Sequence, residues 1–229
     1  MPTGVAPMIP VVVVGLRAEA RLVRRLGLPV AVGGGTAVGA AAAVARVAAN
    51  ASGLVSFGLS GGLDPAARPG LLLVPASVLC DGQWYDADPA LTAWLGGPTP
   101  HRLLAADAPA VSAGDKQRLW QQTGATALDL ETGAVVRAAA AHGLPFAVLR
   151  VICDPAEQDV PPAAVEALDA RGVFALARVA RSVVRRPGQV PALLRLAVDA
   201  AAARRALLRR VADLDRSHCT PQNRVFTSG

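Results

Sequence analysis

Several acidic residues in this chain stand directly after runs of apolar residues, where they are suited to acid–base chemistry. Asp129 and Glu131 follow one such run and precede an alanine-rich segment, Asp154 ends another, and Glu19 comes soon after a run of four valines. A carboxyl group at the edge of an apolar core can serve as a general acid or base, because its surroundings shift its pKa. Each position also has a structural explanation, since acids commonly begin helices and precede turns.

Two glycine-rich segments also follow apolar runs. Gly33, Gly34 and Gly35 precede an alanine-rich segment, and exposed backbone amides at such a place can bind an anion. They do not form the dinucleotide-binding fingerprint, because Gly39 stands one position too late. Taken alone, this segment is better explained by a tight turn with close helix packing. The second segment, 58–62, contains Ser60 and is equally compatible with an ordinary turn and with ligand contact.

Short apolar runs alternate with helical segments along the chain, which predicts an α/β fold. The pattern predicts strands at 11–14, 30–32, 54–57, 71–75, 127–130 and 146–153, and helices at 17–25, 36–49, 116–122, 131–141 and beyond 161. Residues 81–110, rich in Asp, Pro and Gly, are expected to form loops around a site. Such alternation is typical of a mostly parallel sheet covered by helices on both faces. Ligands bind beyond the carboxyl ends of its strands, where the acids and glycines stand.

The composition favours one globular domain of a reducing cytoplasm. Among 229 residues, 52% are hydrophobic, only 3% are aromatic, and the net charge is +6, carried almost wholly by arginine. The few aromatic side chains argue against binding of single-stranded nucleic acid. The cysteines Cys80, Cys153 and Cys219 are distant from one another and odd in number, so neither a disulfide framework nor a metal site is expected. Proline and glycine interrupt the uncharged stretch 26–45, so no membrane helix is expected there.

Three segments together resemble the purine nucleoside phosphorylase / nucleosidase family. They are "VVVVGLRAEA" (11–20), "FGLSGGLDPAARPGLLLVP" (57–75) and "ALDLETGAVVRAAAAHGLPFAVLRVICDPAEQ" (127–158), which fall in the family's order and cover most of residues 11–186. In its details the chain looks most like the hopanoid-associated phosphorylase branch. The resemblance implies a single-domain three-layer α/β/α sandwich with a mixed, mostly parallel central sheet.

The chain departs from the family's pattern at several positions. Leu130 stands where the family has Met, and Thr132 and Cys153 stand where it has Ser. Hydrolytic members carry a Glu on the first loop that positions the attacking water. The nearest acid here is Glu19, one residue short of the commonest spacing, at which Ala20 stands.

The resemblance implies roles for residues around the base and the sugar. Asp154 would protonate or hydrogen-bond purine N7, Glu131 would hold the ribose hydroxyls, and Leu130 would pack on the ribose face. A carboxylate beside the sugar also stabilises the positive charge that develops there during cleavage. Further substrate contacts are expected from Ser60, Gly61, Ala108, Pro109 and Val111.

The nucleophile is either phosphate or water, and the sequence leaves both open. Phosphate would lie on Gly33, Gly34 and Gly35, with Arg17 or Arg21 as its counter-charge. Water would be positioned by Glu19. No cofactor is expected beyond inorganic phosphate as a co-substrate.

The resemblance predicts an enzyme that releases adenine from an adenosyl compound. Adenosylhopane is the favoured substrate and phosphorolysis the favoured route. A methylthioadenosine/adenosylhomocysteine-type nucleosidase and a catalytically silent nucleoside-binding module are the alternatives. Because family members complete their pockets with a neighbouring subunit, a homodimer is expected.

The C-terminal part is predicted to differ from the rest of the chain. The predicted catalytic domain spans 1–186, an arginine-rich helical extension spans 187–214, and a flexible tail spans 215–229. Residues 178–210 contain nine arginines and one acid. A basic helix with apolar positions can lie on an anionic membrane, which would place the protein peripherally at the inner face. A solvated helix, or one packed on a partner subunit, explains the arginines at least as well.

Overall fold

The computed structural model describes residues 9–167 and 176–219. The strands are β1 (Val11–Val14), β2 (Val30–Val32), β3 (Leu54–Gly62), β4 (Leu72–Leu73), β5 (Ser77–Cys80), β6 (Gln83–Asp86), β7 (Leu103–Ala105), β8 (Ala127–Asp129) and β9 (Phe146–Asp154). The helices are α1 (Arg17–Val23), α2 (Ala37–Ala45), α3 (Pro89–Trp94), α4 (Ala113–Thr123), α5 (Thr132–His142), α6 (Pro162–Val165), α7 (Leu176–Arg185) and α8 (Val190–Cys219).

Within the described residues, nine strands form one mixed sheet. Its main path runs β2-β1-β3-β8-β7-β5-β6, while β9 pairs with both β3 and β4. Strand β1 is parallel to β2 and β3, and β3 is parallel to β9. Antiparallel pairs join β3 to β8, β4 to β9 and β5 to β6. The predicted fold, a mixed and mostly parallel sheet surrounded by helices, is confirmed.

The helices cover both faces of the sheet, and β1 shows why. Its four valines are all buried, and alternate side chains of a strand point to opposite faces. Val11 and Val13 pack in a cluster with side chains of α2 and α5, whereas Val12 and Val14 pack with side chains of α1 and α8. A strand that is buried on both faces needs apolar side chains at every position, which the four valines supply.

The glycine-rich segment 58–62 is not the turn that the sequence predicts. Strand β3 continues through it to Gly62, because its partners continue as well: β9 pairs with it as far as Gly61, and β8 pairs with Gly61 and Gly62. The register shifts between Ser60 and Gly61, as at a β-bulge. The glycines bring the end of the strand close to the acidic side chains at this edge of the sheet.

Residues 81–110, predicted to be loops and short pieces, contain the short elements β6, α3 and β7. Helix α3 begins where the Asp88 carboxylate accepts the Leu91 amide over 2.8 Å, and Pro89 occupies the first helical position. These elements are three to six residues long, too short for hydrophobic periodicity to detect.

The C-terminal helix α8 is an integral part of the fold. Ala203, Leu207 and Val211 are buried in the cluster that α8 forms with the sheet. The helix continues to Cys219, beyond the predicted boundary at 214, and the rest of the predicted tail lies outside the described residues. Over the described part of the chain, no helix has both the length and the apolar character needed to cross a membrane.

Candidate active site

A cavity of about 330 Å³ lies at the end of β3, within the range of small-molecule sites. It is bordered by α1, β3, β8, β9, α8 and the loops between them. Eight of the residues selected from the sequence line it: Glu19, Gly35, Ser60, Gly61, Pro109, Leu130, Glu131 and Asp154. The fold thus brings together positions that are as much as 135 residues apart in the chain.

Glu19 is held in the cavity by backbone amides. Its Oε2 accepts the Leu16 amide over 2.8 Å, which caps the start of α1, and its Oε1 accepts the Leu59 amide of β3 over 2.9 Å. Burial raises the pKa of Glu19, against the opposing effects of Arg150 and the amides. Ala20, at the commonest family spacing, packs in the core instead. Glu19 is therefore the acid that this loop presents to the cavity.

Arg150, which the sequence analysis did not select, links the acids of the site. Its guanidinium is buried in the middle of β9, with a side chain only 1% exposed. It forms an ion pair with Asp129, and its Nη1 lies 3.1 Å from Glu131 Oε2. Its Nη2 donates to Ser56 Oγ over 2.7 Å. A buried guanidinium is stable only with such partners. An arginine within an otherwise apolar strand is rare, and this signal in the sequence could have identified Arg150.

Glu131 is a second buried acid of this cluster. It precedes α5 and is buried, with 7% of its surface exposed. Burial raises the pKa of Glu131 to about 7; Arg150 opposes the rise, while Asp129 and Glu19 add to it. A methyl group on Gly15 would lie 2.5 Å from Glu131 Oε1, so only glycine leaves room for this carboxylate. A carboxyl with such a pKa can exchange a proton near neutral pH.

Asp154, at the end of β9, is paired with Lys116 of α4. Lys116 Nζ donates to Asp154 Oδ2 over 2.5 Å and to the carbonyls of Pro155 and Gln158 over 2.9 Å each. The Cys153 thiol lies 3.3 Å from the other carboxylate oxygen, Oδ1. Lys116 was not selected from the sequence, although it is the only lysine in the chain.

Glu19 and Asp154 lie beside different residues of β3. A methyl group on Gly58 would lie 2.6 Å from Glu19 Oε1, whereas one on Gly61 would lie 3.4 Å from Asp154 Oδ1. Three residues of an extended strand span roughly 10 Å. Glu19 and Glu131 therefore act near one end of the cavity and Asp154 near the other.

Two of the glycines predicted to hold phosphate have their amides paired within the backbone. The Gly33 and Gly34 amides donate to the carbonyls of Val14 and Gly15, over 2.8 Å and 2.9 Å. Gly33 lacks a side chain because a methyl group there would lie 2.8 Å from the Cα of Ala40 in α2. These two glycines therefore serve close packing of α2.

The proposed phosphate counter-charges also lie away from the cavity. Arg17 and Arg21 are exposed side chains on α1, and neither lines it. Gly35 is the one member of the glycine triplet that does. No cation on α1 therefore faces the space in which a nucleophile would lie.

The predicted purine-binding segment contributes only in part. Pro109 lines the cavity, as does its buried neighbour Ala110, which was not selected. Ala108 is exposed and Val111 does not border the cavity. Val111 instead accepts the Val160 amide over 2.8 Å, which holds the segment after β9 against this loop.

The cavity combines acidic groups with an apolar wall. Its charged lining consists of four acids and one arginine: Glu19, Asp129, Glu131, Asp154 and Arg150. The wall opposite β3 is apolar and is formed by Val160, Ala164, Leu196 and Ala200. The two α8 residues in this wall show that the predicted extension also borders the site.

Comparison with known proteins agrees with this architecture. Residues 79–185 match the family model of the Phosphorylase superfamily. No curated protein matched the chain. The S-adenosylhomocysteine nucleosidase of Streptococcus pyogenes, in complex with 5-methylthiotubericidin, is similar at a TM-score of 0.60 and 17% identity, over 79% of this chain and 96% of that one.

Two other solved structures are similar in the same way. Futalosine hydrolase of Helicobacter pylori has a TM-score of 0.57 and 16% identity, over 78% of this chain and 98% of that one. The 5'-methylthioadenosine/S-adenosylhomocysteine nucleosidase of Colwellia psychrerythraea, in complex with adenine, has a TM-score of 0.58 and 17% identity, over 77% and 95%. The fold is that of the nucleoside phosphorylases and nucleosidases.

Proposed function

We propose that this protein is a nucleosidase that uses water to cleave the N-glycosidic bond of an adenosyl compound and release adenine. One observation carries the proposal: Glu19, Glu131 and Asp154 line one cavity, with Glu19 close to Gly58 of β3 and Asp154 close to Gly61. Cleavage of a glycosidic bond needs an acid at the leaving group and carboxylates at the sugar, and the cavity offers acidic side chains for both roles.

Water suits this site better than phosphate. Phosphorolysis, favoured on sequence grounds, requires cations or amides to bind the phosphate. The Gly33 and Gly34 amides are bonded to the backbone, and Arg150 is engaged by Asp129 and Glu131. Among the described residues that line the cavity, Arg150 is the only cation, so little positive charge remains to attract phosphate.

The chemistry can be assigned to three side chains. Glu19 accepts a proton from the attacking water as its oxygen bonds to C1′. The C1′–N9 bond breaks, its electron pair passes into the purine, and Asp154 delivers a proton to N7. Glu131 bonds the ribose hydroxyls and stabilises the positive charge on the sugar, which is greatest in the transition state. The products are adenine and the free sugar.

The substrate's remaining substituent is proposed to be apolar. Val160, Ala164, Leu196 and Ala200 offer no polar side chain to a phosphate or carboxylate, and they favour a hydrocarbon or thioether group. Adenosylhopane and methylthioadenosine both meet this requirement. The similar structures support an adenine compound, because they include nucleosidases in complex with adenine and with 5-methylthiotubericidin.

The test is an adenine-release assay on both compounds, with and without phosphate. We expect phosphate-independent release from at least one of them, and a loss of about 10²–10⁴-fold in kcat for Asp154→Asn. The matched control is Asp107→Asn, which alters an exposed acid outside the cavity. Release that requires phosphate would identify a phosphorylase instead. If neither compound released adenine but both bound tightly, the protein would be a nucleoside-binding module.

A further inference from the structure

Lys116 is a buried lysine in direct contact with the proposed acid. Its side chain is only 1% exposed, which is unusual because burial of an ammonium is unfavourable without compensation. Compensation is complete here: an ammonium has three N–H donors, and Lys116 directs them at Asp154 Oδ2 and at two carbonyl oxygens. The fold has thus enclosed one positive charge directly behind Asp154.

This pairing creates a problem for Asp154 as a proton donor. Lys116 Nζ and Asp154 Oδ2 form an ion pair at 2.5 Å, and the carboxylate of an ion pair has no proton of its own to give to purine N7. The proton must therefore come from elsewhere. The donor that touches Asp154 most closely is the ammonium of Lys116 itself.

We propose that Lys116 supplies the proton that Asp154 passes to the leaving base. This inference rests on the proposed function. A methyl group on Gly61 would lie 3.4 Å from Asp154 Oδ1 and 3.5 Å from Oδ2, so both carboxylate oxygens border the same space at the cavity. Oδ2 can therefore receive a proton from Lys116 on one side and release it to the base on the other.

The transfer balances as two linked steps. The Nζ–H bond of Lys116 breaks and an Oδ2–H bond forms on Asp154. That bond then breaks as N7–H forms, while the electron pair of the C1′–N9 bond passes into the purine. Lys116 is left as a neutral amine and regains a proton from water after adenine leaves. Lys116 does not touch the substrate and acts only through Asp154.

Other ionisable groups lie near the Lys116–Asp154 pair. From β9, the Cys153 thiol faces Oδ1, and burial raises the pKa of this thiol well above its ordinary value. From α8, Asp199 lies near Asp154 and its pKa is raised, by burial first and then by Asp154. Asp159 accepts the amide of Ala113 at the start of α4 over 2.7 Å. Lys116 itself lowers the pKa of the Cys153 thiol, so the variants that remove its charge also affect this neighbour, whereas Lys116→Arg keeps the charge.

The experiment compares pH profiles of adenine release. In Lys116→Met this ammonium is absent and the proton must come from the solvent, in which hydronium becomes tenfold scarcer with each pH unit. We therefore expect kcat relative to wild type to fall about 100-fold between pH 7 and pH 9. Lys116→Gln keeps N–H donors for the two carbonyls and should show the same fall, which separates proton supply from folding. KM should change little in either variant.

Lys116→Arg separates proton supply from charge. A guanidinium keeps the positive charge but does not release a proton in this range. We expect no restoration of alkaline activity. A wild-type profile in Lys116→Gln or Lys116→Arg would overturn the role of Lys116 and leave the nucleosidase assignment intact. A wild-type protein that releases no base from either compound would overturn both.

Discussion

Replacement of Glu131 by glutamine should make the protein more stable at high pH while it removes activity. In the folded protein the pKa of Glu131 is raised from 4.5 to about 7. Below pH 4.5 both the folded and the unfolded chain hold the proton, so Glu131 adds no pH dependence there. Between 4.5 and about 7 the folded state holds a proton that the unfolded state has lost, and the free energy of unfolding falls as pH rises.

The size of this effect follows from the pKa difference. At about 1.36 kcal/mol for each pH unit, a rise from 4.5 to about 7 corresponds to about 3 kcal/mol. Glutamine cannot ionise, so Glu131→Gln is free of this loss. The attraction of Arg150 for the ionised form of Glu131 is already contained in the raised pKa and is not counted again. The stability of the variant minus that of the wild type should therefore increase by about 3 kcal/mol between about pH 4 and pH 8.

Urea unfolding followed by circular dichroism, across this pH range, measures the difference directly. The matched control is Glu166→Gln, which makes the same chemical change at an exposed position outside the cavity and should give a nearly constant difference. A difference for Glu131→Gln that is flat with pH, or that decreases as pH rises, would refute the claim that the site holds a buried acid at a cost in stability.

Three further outcomes are expected. Gly58→Ala should lower the free energy of unfolding by about 1–3 kcal/mol, because its methyl group would lie 2.6 Å from Glu19 Oε1 at a φ of +151°. The control is Gly188→Ala, since Gly188 has open space around it. Equal stability of the two variants would contradict the geometry. Light scattering at micromolar concentration should give twice the chain mass of 23.3 kDa, and a monomer would oppose the predicted homodimer. If residues 178–210 contact membranes, the protein should sediment with anionic vesicles at low salt and less so at high salt; equal recovery in the supernatant with neutral and anionic vesicles would exclude that contact.

The local pattern of the chain was sufficient to predict the fold class. A short β-branched run such as Val11–Val14 favours a strand that is covered on both faces, and the structure has it as one. Carboxyl groups at the ends of such strands must lie at the edge of the core. The local pattern left each acid with a structural explanation as well, and the family resemblance was needed to select Glu19, Glu131 and Asp154; all three line the cavity.

Tertiary structure decided which groups surround those acids. Lys116 and Asp154 are 38 residues apart, and Arg150 meets Ser56 across 94 residues. No local pattern encodes such a pairing, because a contact of this kind arises only when separate elements pack. The pKa of Glu131 depends in the same way on burial and on charges brought from other elements. The residue types of the acids were therefore evident from the sequence, whereas their protonation and their partners were set by the packing of α4, β3 and β9.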